Sequence, residues 1–294
     1  MYYRRKIILA LLQTFDGQLD KIQLQKLLFL FSQKQEKPVY DFIPYKFGCY
    51  SYSANADLTV MVEKGFLSED EKHFTKEDKS DYLNQISSTD RNSLLKVKAD
   101  YGKMNTTALI RHTYLNFPLY AINSEVAEKI LTASELKKVK DAKPHNEDTL
   151  LFTIGYEGIS LEEYLIRLIK NDIKILVDVR SNPLSMKYGF NKNQLIRFCS
   201  GLGIQYIHFP EVGIQSDKRQ ELNSQEDYDN LFAAYRKNSL AKTKETQLRI
   251  LTLLKEHKRI ALTCFEANIN QCHRKHLAES IEKLKGFNYI VKHI

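Results

Sequence analysis

The chain has 294 residues, of which 43% are hydrophobic and 27% charged, and it carries a net charge of +8. That is ordinary globular composition, long enough for two domains. No apolar run approaches the roughly 20 residues that a membrane span needs. The basic start at Tyr3-Arg-Arg-Lys6 leads into only a short apolar run, with no small-residue cleavage site. A cytoplasmic protein with no membrane partner is expected. Four cysteines are too sparse for a disulfide scaffold, and Cys49 and Cys199, in apolar surroundings, read as core residues. Residues 1–150 hold 22 Lys+Arg against 20 Asp+Glu and residues 151–294 hold 22 against 16, so the basic excess lies mainly in the second half. Such a surface permits contact with nucleic acid or phosphorylated ligands without demanding it.

The first predicted helix runs through Tyr3–Leu12. After Asp16-Gly17, Leu19-Asp20 reads as a hydrophobic staple and N-cap for a second helix, whose apolar face is Ile22, Leu24, Leu27, Leu28, Leu30 and Phe31. Ser51 or Ser53 caps a third helix carrying Leu58, Val60, Met61 and Val62, which Gly65 stops. Phe66-Leu67 and His73-Phe-Thr75 then flank an acidic turn as a hairpin. Helix, helix, helix, hairpin is the order of a winged helix-turn-helix, with Lys46, Tyr50, Tyr52 and Lys64 as candidate nucleic-acid contacts. The acidic turn Glu69-Asp-Glu71 argues against simple DNA readout, since phosphates would repel it. A protein-interaction module is the competing reading.

Residues 79–140 continue in a helical pattern, and Lys137–Asp148 has almost no apolar content and contains Pro144. The expected organisation is a mainly α, winged-helix-like recognition domain over 1–140, a linker over 141–149 and an α/β domain over 150–294. In the last, strands near 150–155, 173–179, 204–208, 259–264 and 288–293 alternate with helices near 160–170, 192–201, 225–257 and 273–285. That alternation predicts a mixed or mostly parallel sheet with helices on both faces. The charged run 215–227 reads as an exposed loop beside the crevice, and a solvated connection explains it better than a lid does.

Four predicted strands end in polar residues. Tyr156 and Glu157 follow the first, Asp178, Arg180 and Ser181 the second, and His208 and Glu211 the third. The fourth empties into Cys264-Phe-Glu-Ala-Asn-Ile-Asn-Gln-Cys-His-Arg274, which gathers two thiols, a carboxylate, an imidazole and a guanidinium before a helix. In a parallel sheet these ends share one edge, where strand tips and helix N-termini converge on ligands.

The ordered set Thr153-Ile-Gly-Tyr-Glu-Gly158, Val177-Asp-Val-Arg-Ser-Asn-Pro183, His208-Phe-Pro-Glu211, Cys264-Phe-Glu266, Cys272-His-Arg274 and His293-Ile294 resembles the bacterial family known as domain of unknown function 488. The resemblance covers residues 150–294 and implies an α/β fold with a polar crevice at those positions, but no settled reaction. Members usually place paired glycines after the Pro-Glu-Leu element, whereas this chain reads Pro210-Glu-Val-Gly-Ile214. Residues 1–75 more loosely resemble winged-helix, antitoxin-associated domains of the SocA type, through Leu24–Phe31, Phe42–Tyr52 and Glu63–Leu67.

Three chemistries compete at the crevice. Zinc is disfavoured by the seven residues between Cys264 and Cys272 and by the adjacency of Cys272 and His273, which usually points two side chains apart. No cofactor is therefore expected. A thiolate at Cys272 would be favoured by a helix N-terminus and Arg274. Arg180 and Arg274 could clamp a phosphate, with Asp178, Ser181 and Tyr156 beside them, unless the arginines merely pair with Asp178 and Glu266. For catalysis, Cys272, His273, Glu266, Glu157 and His208 are the candidates. No Walker loop or dinucleotide fingerprint is present. The expected function is association with a nucleotide or nucleic acid through a phosphate-binding, catalytic crevice. The alternative is a non-enzymatic DNA- or protein-binding regulator or sensor, in stress response or phage defence.

Overall fold

The computed structural model describes residues 1–215, 222 and 224–294, which form two compact units, Met1–Lys143 and Pro144–Ile294. Most of the charged run 215–227 lies outside the described residues.

The first unit starts with α1 (Tyr3–Thr14), β1 (Gln18–Asp20), α2 (Lys21–Ser32), β2 (Ile43–Tyr45), β3 (Gly48–Tyr50), α3 (Tyr52–Glu63), β4 (Leu67–Glu69) and β5 (His73–Lys76). Asp20 caps α2 by accepting from the Ile22 and Gln23 amides, and Ser51 caps α3 by accepting from Ala54. Each such cap is worth about 1 kcal/mol. Two features escape the sequence pattern. Residues 18–20 form an edge strand against β5, giving the antiparallel order β1-β5-β4, and β2 pairs with β3 in a separate hairpin. Mainly helical segments follow: α4 (Ser88–Tyr101), α5 (Thr106–Asn116), α6 (Ala127–Ile130) and α7 (Ala133–Asp141). The core of this unit is apolar, but buried Asp57 is held by Arg4, Arg5 and Tyr40.

The second unit contains β6 (Leu150–Gly155), α8 (Leu161–Lys170), β7 (Ile175–Asp178), α9 (Lys192–Ser200), β8 (Gln205–His208), α10 (Gln225–Ala234), α11 (Lys244–His257), β9 (Arg259–Cys264), α12 (His273–Glu282) and β10 (Ile290–His293). All five strands are parallel, in the order β10-β6-β9-β7-β8. This is an α/β domain. Leu151, Ile175, Val177, Ile260 and Leu262 pack with residues of α11 and α12 such as Ile250, Leu254, Leu277 and Ile281. Alternate strand residues point to the other face, where Tyr164 of α8 donates to Thr263 at 2.7 Å. The single helix expected over 225–257 carries a π-helical stretch at Tyr235–Leu240 and breaks at Thr243.

The segment before β6 is tied down locally. The Asn146 amide donates to Asp172 at 3.1 Å, Lys258 pairs with Glu147, and Arg259 donates to the Asp148 carbonyl at 3.2 Å. From β6 the chain crosses to β7, whereas from β9 it crosses to β10 on the far side. Departures in opposite directions leave a crevice beyond the carboxyl ends of β6 and β9.

Candidate functional site

Along the carboxyl edge of the sheet lie two cavities, one of about 290 Å³ past β6, β7 and β9 and one of about 510 Å³ past β7 and β8. Tyr156, Arg180, Asn182, Cys264, Phe265 and His273 line the smaller, and Glu211, Tyr235, Asn238 and Ser239 line part of the larger. Ser181 and Ile214 line both, so the two cavities adjoin.

Two glycines let the backbone close around it. A Cβ on Gly155 would lie 2.0 Å from the Glu266 carbonyl oxygen, and one on Gly213 would lie 2.2 Å from the Ser181 nitrogen. The single glycine of Pro210-Glu-Val-Gly-Ile214 thus allows Ser181 to reach the loop, where its hydroxyl donates to the Ile214 carbonyl at 2.9 Å. Glu157 secures the other side. It is exposed, its carboxylate accepts from the Ala267 amide at 2.9 Å, and the Tyr156 and Glu157 amides both donate to the Phe265 carbonyl.

The centre of the site is the end of β9. Cys264 and Cys272 are buried, His273 is 1% exposed, and ligand atoms of Cys264, Glu266, Cys272 and His273 all lie within 4.8 Å of one another. Cys272 has extended backbone as the N-cap of α12, whereas His273 is the first helical residue. That change of backbone between neighbours lets both side chains face one point, contrary to the divergence their adjacency suggested. His273 Nε2 lies 2.9 Å from the Val179 carbonyl oxygen, which makes Nε2 the protonated nitrogen and leaves Nδ1 as an acceptor 3.5 Å from Cys264 Sγ. Cys264 Sγ also lies 3.2 Å from Glu266 Oε2.

The expected favoured thiolate at Cys272 is not found. Burial, and then the neighbouring Cys264 and Glu266, push its thiol well above the ordinary value, and Arg274 offsets only part of this. Among the four cysteines, Cys264 lines the cavity.

Most of the arginine donors are committed to the protein, although the buried Arg274 Nε has no hydrogen-bond partner among the described residues. Arg180 donates through Nε and Nη2 to the fully buried Asp178 carboxylate, and through Nη1 to the Tyr156 hydroxyl and the Phe190 carbonyl. Burial opposes its charge, but the bonds to Asp178 and the charge of that carboxylate prevail and raise its pKa. Asp178 accepts further from Tyr206 at 2.6 Å, and the Tyr206 hydroxyl is pushed up by burial and by that carboxylate. Arg274 is 2% exposed and donates to the Glu266 and Ala267 carbonyls at 2.5 and 3.4 Å. His208 stands apart, with Nε2 2.8 Å from the Arg180 carbonyl and Nδ1 3.4 Å from Lys192.

In the first unit, Lys46 and Tyr50 belong to the β2–β3 hairpin, where Lys46 pairs with Glu125 at 3.1 Å and Tyr50 packs edge-on to Tyr52. Lys64 caps the far end of α3, about 18 Å along the axis from Tyr52. A cavity of about 530 Å³ opens between α2, the hairpin and the β4–β5 turn. Lys21, Lys46 and Lys72 line it, and so do Asp20, Glu69 and Glu71. Nothing in the hydrophobic pattern signalled it.

Among the described residues, no helix is long and apolar enough to cross a membrane. No curated protein matches the chain. Residues 160–281, which carry most of the crevice, match the model of the family described as Domain of unknown function DUF488, and the C-terminal half of the chain resembles that family.

Proposed function

We propose that the α/β unit binds a nucleotide or the end of a nucleic acid in this crevice and acts on it at the Cys264–His273 end. The observation carrying this reading is the pair of adjoining cavities at the carboxyl edge of the sheet, where open α/β sheets take their ligands. Ser181, Asn182, Asn238 and Ser239 supply uncharged polar groups along it. The first unit is then the recognition module, of winged-helix type. The mixed signs around its own cavity favour a protein partner there over a phosphate backbone.

The test is a thermal-shift and calorimetric titration of the full chain with nucleoside mono-, di- and triphosphates and short oligonucleotides. A saturable rise in melting temperature is expected, weakened several-fold by Asn182→Ala or Asn238→Ala. Oligonucleotide affinity should fall by about an order of magnitude between low and physiological salt if several phosphates are contacted. Absence of any shift across this panel would sink the reading.

A regulator or sensor that only holds its ligand, as in stress response or phage defence, is a second reading. It is favoured by the internal commitment of the Arg180 donors and of both Arg274 Nη groups, which leaves those charges poorly placed to follow a reacting phosphate. Binding without turnover of any panel member would favour it.

A further inference from the structure

The geometry points to a zinc site formed by Cys264, Cys272 and His273, with Glu266 as fourth ligand. Four donors from two short stretches of chain converge, all within 4.8 Å of one another. A tetrahedral zinc with sulfur at about 2.3 Å and nitrogen at about 2.0 Å sets its S and N ligands about 3.5 Å apart. Cys264 Sγ and His273 Nδ1 are already 3.5 Å apart. Cys264 Sγ and Glu266 Oε2 are 3.2 Å apart, and the remaining pairs need adjustments of only about 1 Å, within the reach of side-chain rotation.

The imidazole is set up as a ligand. Its Nε2 proton is held by the Val179 carbonyl, so the lone pair on Nδ1 faces the sulfurs. Metal-bound histidines are oriented in this way, by a carbonyl or carboxylate on the far nitrogen. Two sulfurs and one imidazole are a soft donor set, which selects zinc over magnesium or calcium. With both thiols and the carboxylate ionised the ligands carry three negative charges, so a dication leaves one. The buried Arg274 guanidinium, bonded to the Glu266 backbone, stands beside the cluster to offset it.

The rival is a metal-free Cys264–His273 pair acting as nucleophile and base. That pair alone gives no account of a second buried thiol and a carboxylate at the same point. Cys264 and His273 also line the smaller cavity, so a metal there faces the crevice on one side. Glu266 is the least buried of the four and is the ligand a substrate or water would displace.

The inference does not depend on the nucleotide reading, because metal binding is read without any organic ligand. The full chain, stripped with a chelator under reducing conditions, is titrated with cobalt(II) and then zinc. One equivalent of cobalt is expected to give the visible bands of a tetrahedral ion and a thiolate-to-cobalt charge-transfer band, both erased by one equivalent of zinc. Cys264→Ser and Cys272→Ser should each lower the charge-transfer intensity by about half. Each should weaken binding by more than the roughly tenfold that loss of a supporting residue costs. Cys49→Ala, in the other unit, should change neither. Failure of folded wild-type protein to give the charge-transfer band at stoichiometric cobalt would overturn the site, as would a band that survives both serine substitutions. Should those variants not fold, X-ray absorption of the zinc-loaded wild type decides the matter. Two sulfurs bound to zinc support the proposal and a shell of only nitrogen and oxygen refutes it.

Discussion

His273 turns its Nδ1 to the sulfur of Cys264 at 3.5 Å, nine positions earlier in the chain, and anchors its other nitrogen on the Val179 carbonyl. The two residues meet where β9 ends and α12 begins. In metal-free protein, Cys264 is therefore expected to react with iodoacetamide before Cys272 or Cys199, because among the three cysteines of the α/β unit it lines the smaller cavity. Peptide mapping after brief labelling measures the order. Preferential labelling of Cys272 would show that the cavity opens on the other sulfur.

Asp178 is fully buried and accepts from the Arg180 amide and guanidinium and from Tyr206. Asp178→Ala should cost about 3 kcal/mol or more, since Arg180 would be left as an uncompensated buried charge. Tyr206→Phe, which removes one of several bonds, should cost about 1 kcal/mol. Denaturant unfolding gives both values, and near-equal losses would mean that Arg180 finds another partner.

Gly155→Ala places a methyl group 2.0 Å from the Glu266 carbonyl oxygen. The loop over residues 265–267 must shift, at a cost of about 3 kcal/mol, and cobalt binding should weaken as Glu266 and Cys264 separate. Gly158→Ala is the control. Its added atom meets nothing within 4 Å, so only the strain of φ +78° remains, about 1 kcal/mol. Equal effects of the two substitutions would contradict the close approach.

Burial holds His112, His276 and His293 below the ordinary histidine value, with Arg274 and Lys275 adding to the effect at His293. At His276, Glu279 pulls upward and Arg236 and Lys275 downward, and burial prevails. The unfolded chain then binds these protons more readily than the folded one. Stability should be fully present above about pH 6.5 and fall as acidification carries the solution below it. Melting temperatures across that range should drop on the acid side, less steeply in His276→Gln. A rise on acidification would contradict this assignment.

Much of the framework was legible because it rests on local rules. Asp20 and Ser51 announce their helices, and Ile175-Leu-Val-Asp178 reads as a buried parallel strand by its unbroken apolar run. The site was legible in its residues but not in their partners. Asp178 and Arg180 are two apart on a strand end, and only the turn after Val179 folds the guanidinium back onto its own neighbour. The convergence of Cys272 and His273 depends on one N-cap dihedral pair, which composition does not encode. Glu157 looks catalytic from its position after a strand, yet its carboxylate secures a loop amide 110 residues away. The edge strand at Gln18–Asp20 and the hairpin at Ile43–Tyr50 are too short for any periodicity to register.

The π-helical stretch at Tyr235–Leu240 has a consequence for the phase of its helix. Tyr235 donates to the Val212 carbonyl at 2.5 Å and presents its ring edge-on to His273, while Asn238 and Ser239 face the larger cavity. A π turn is an α-helix carrying one surplus residue. Removing that residue would restore the α geometry with the two sides in phase, whereas winding all the residues of Tyr235–Leu240 as plain α-helix would rotate one side by about 100° relative to the other. Tyr235 and the Asn238–Ser239 pair could then no longer face the crevice together. The wider turn, with no change in chemistry, is thus what couples the wall of the crevice to the imidazole behind it.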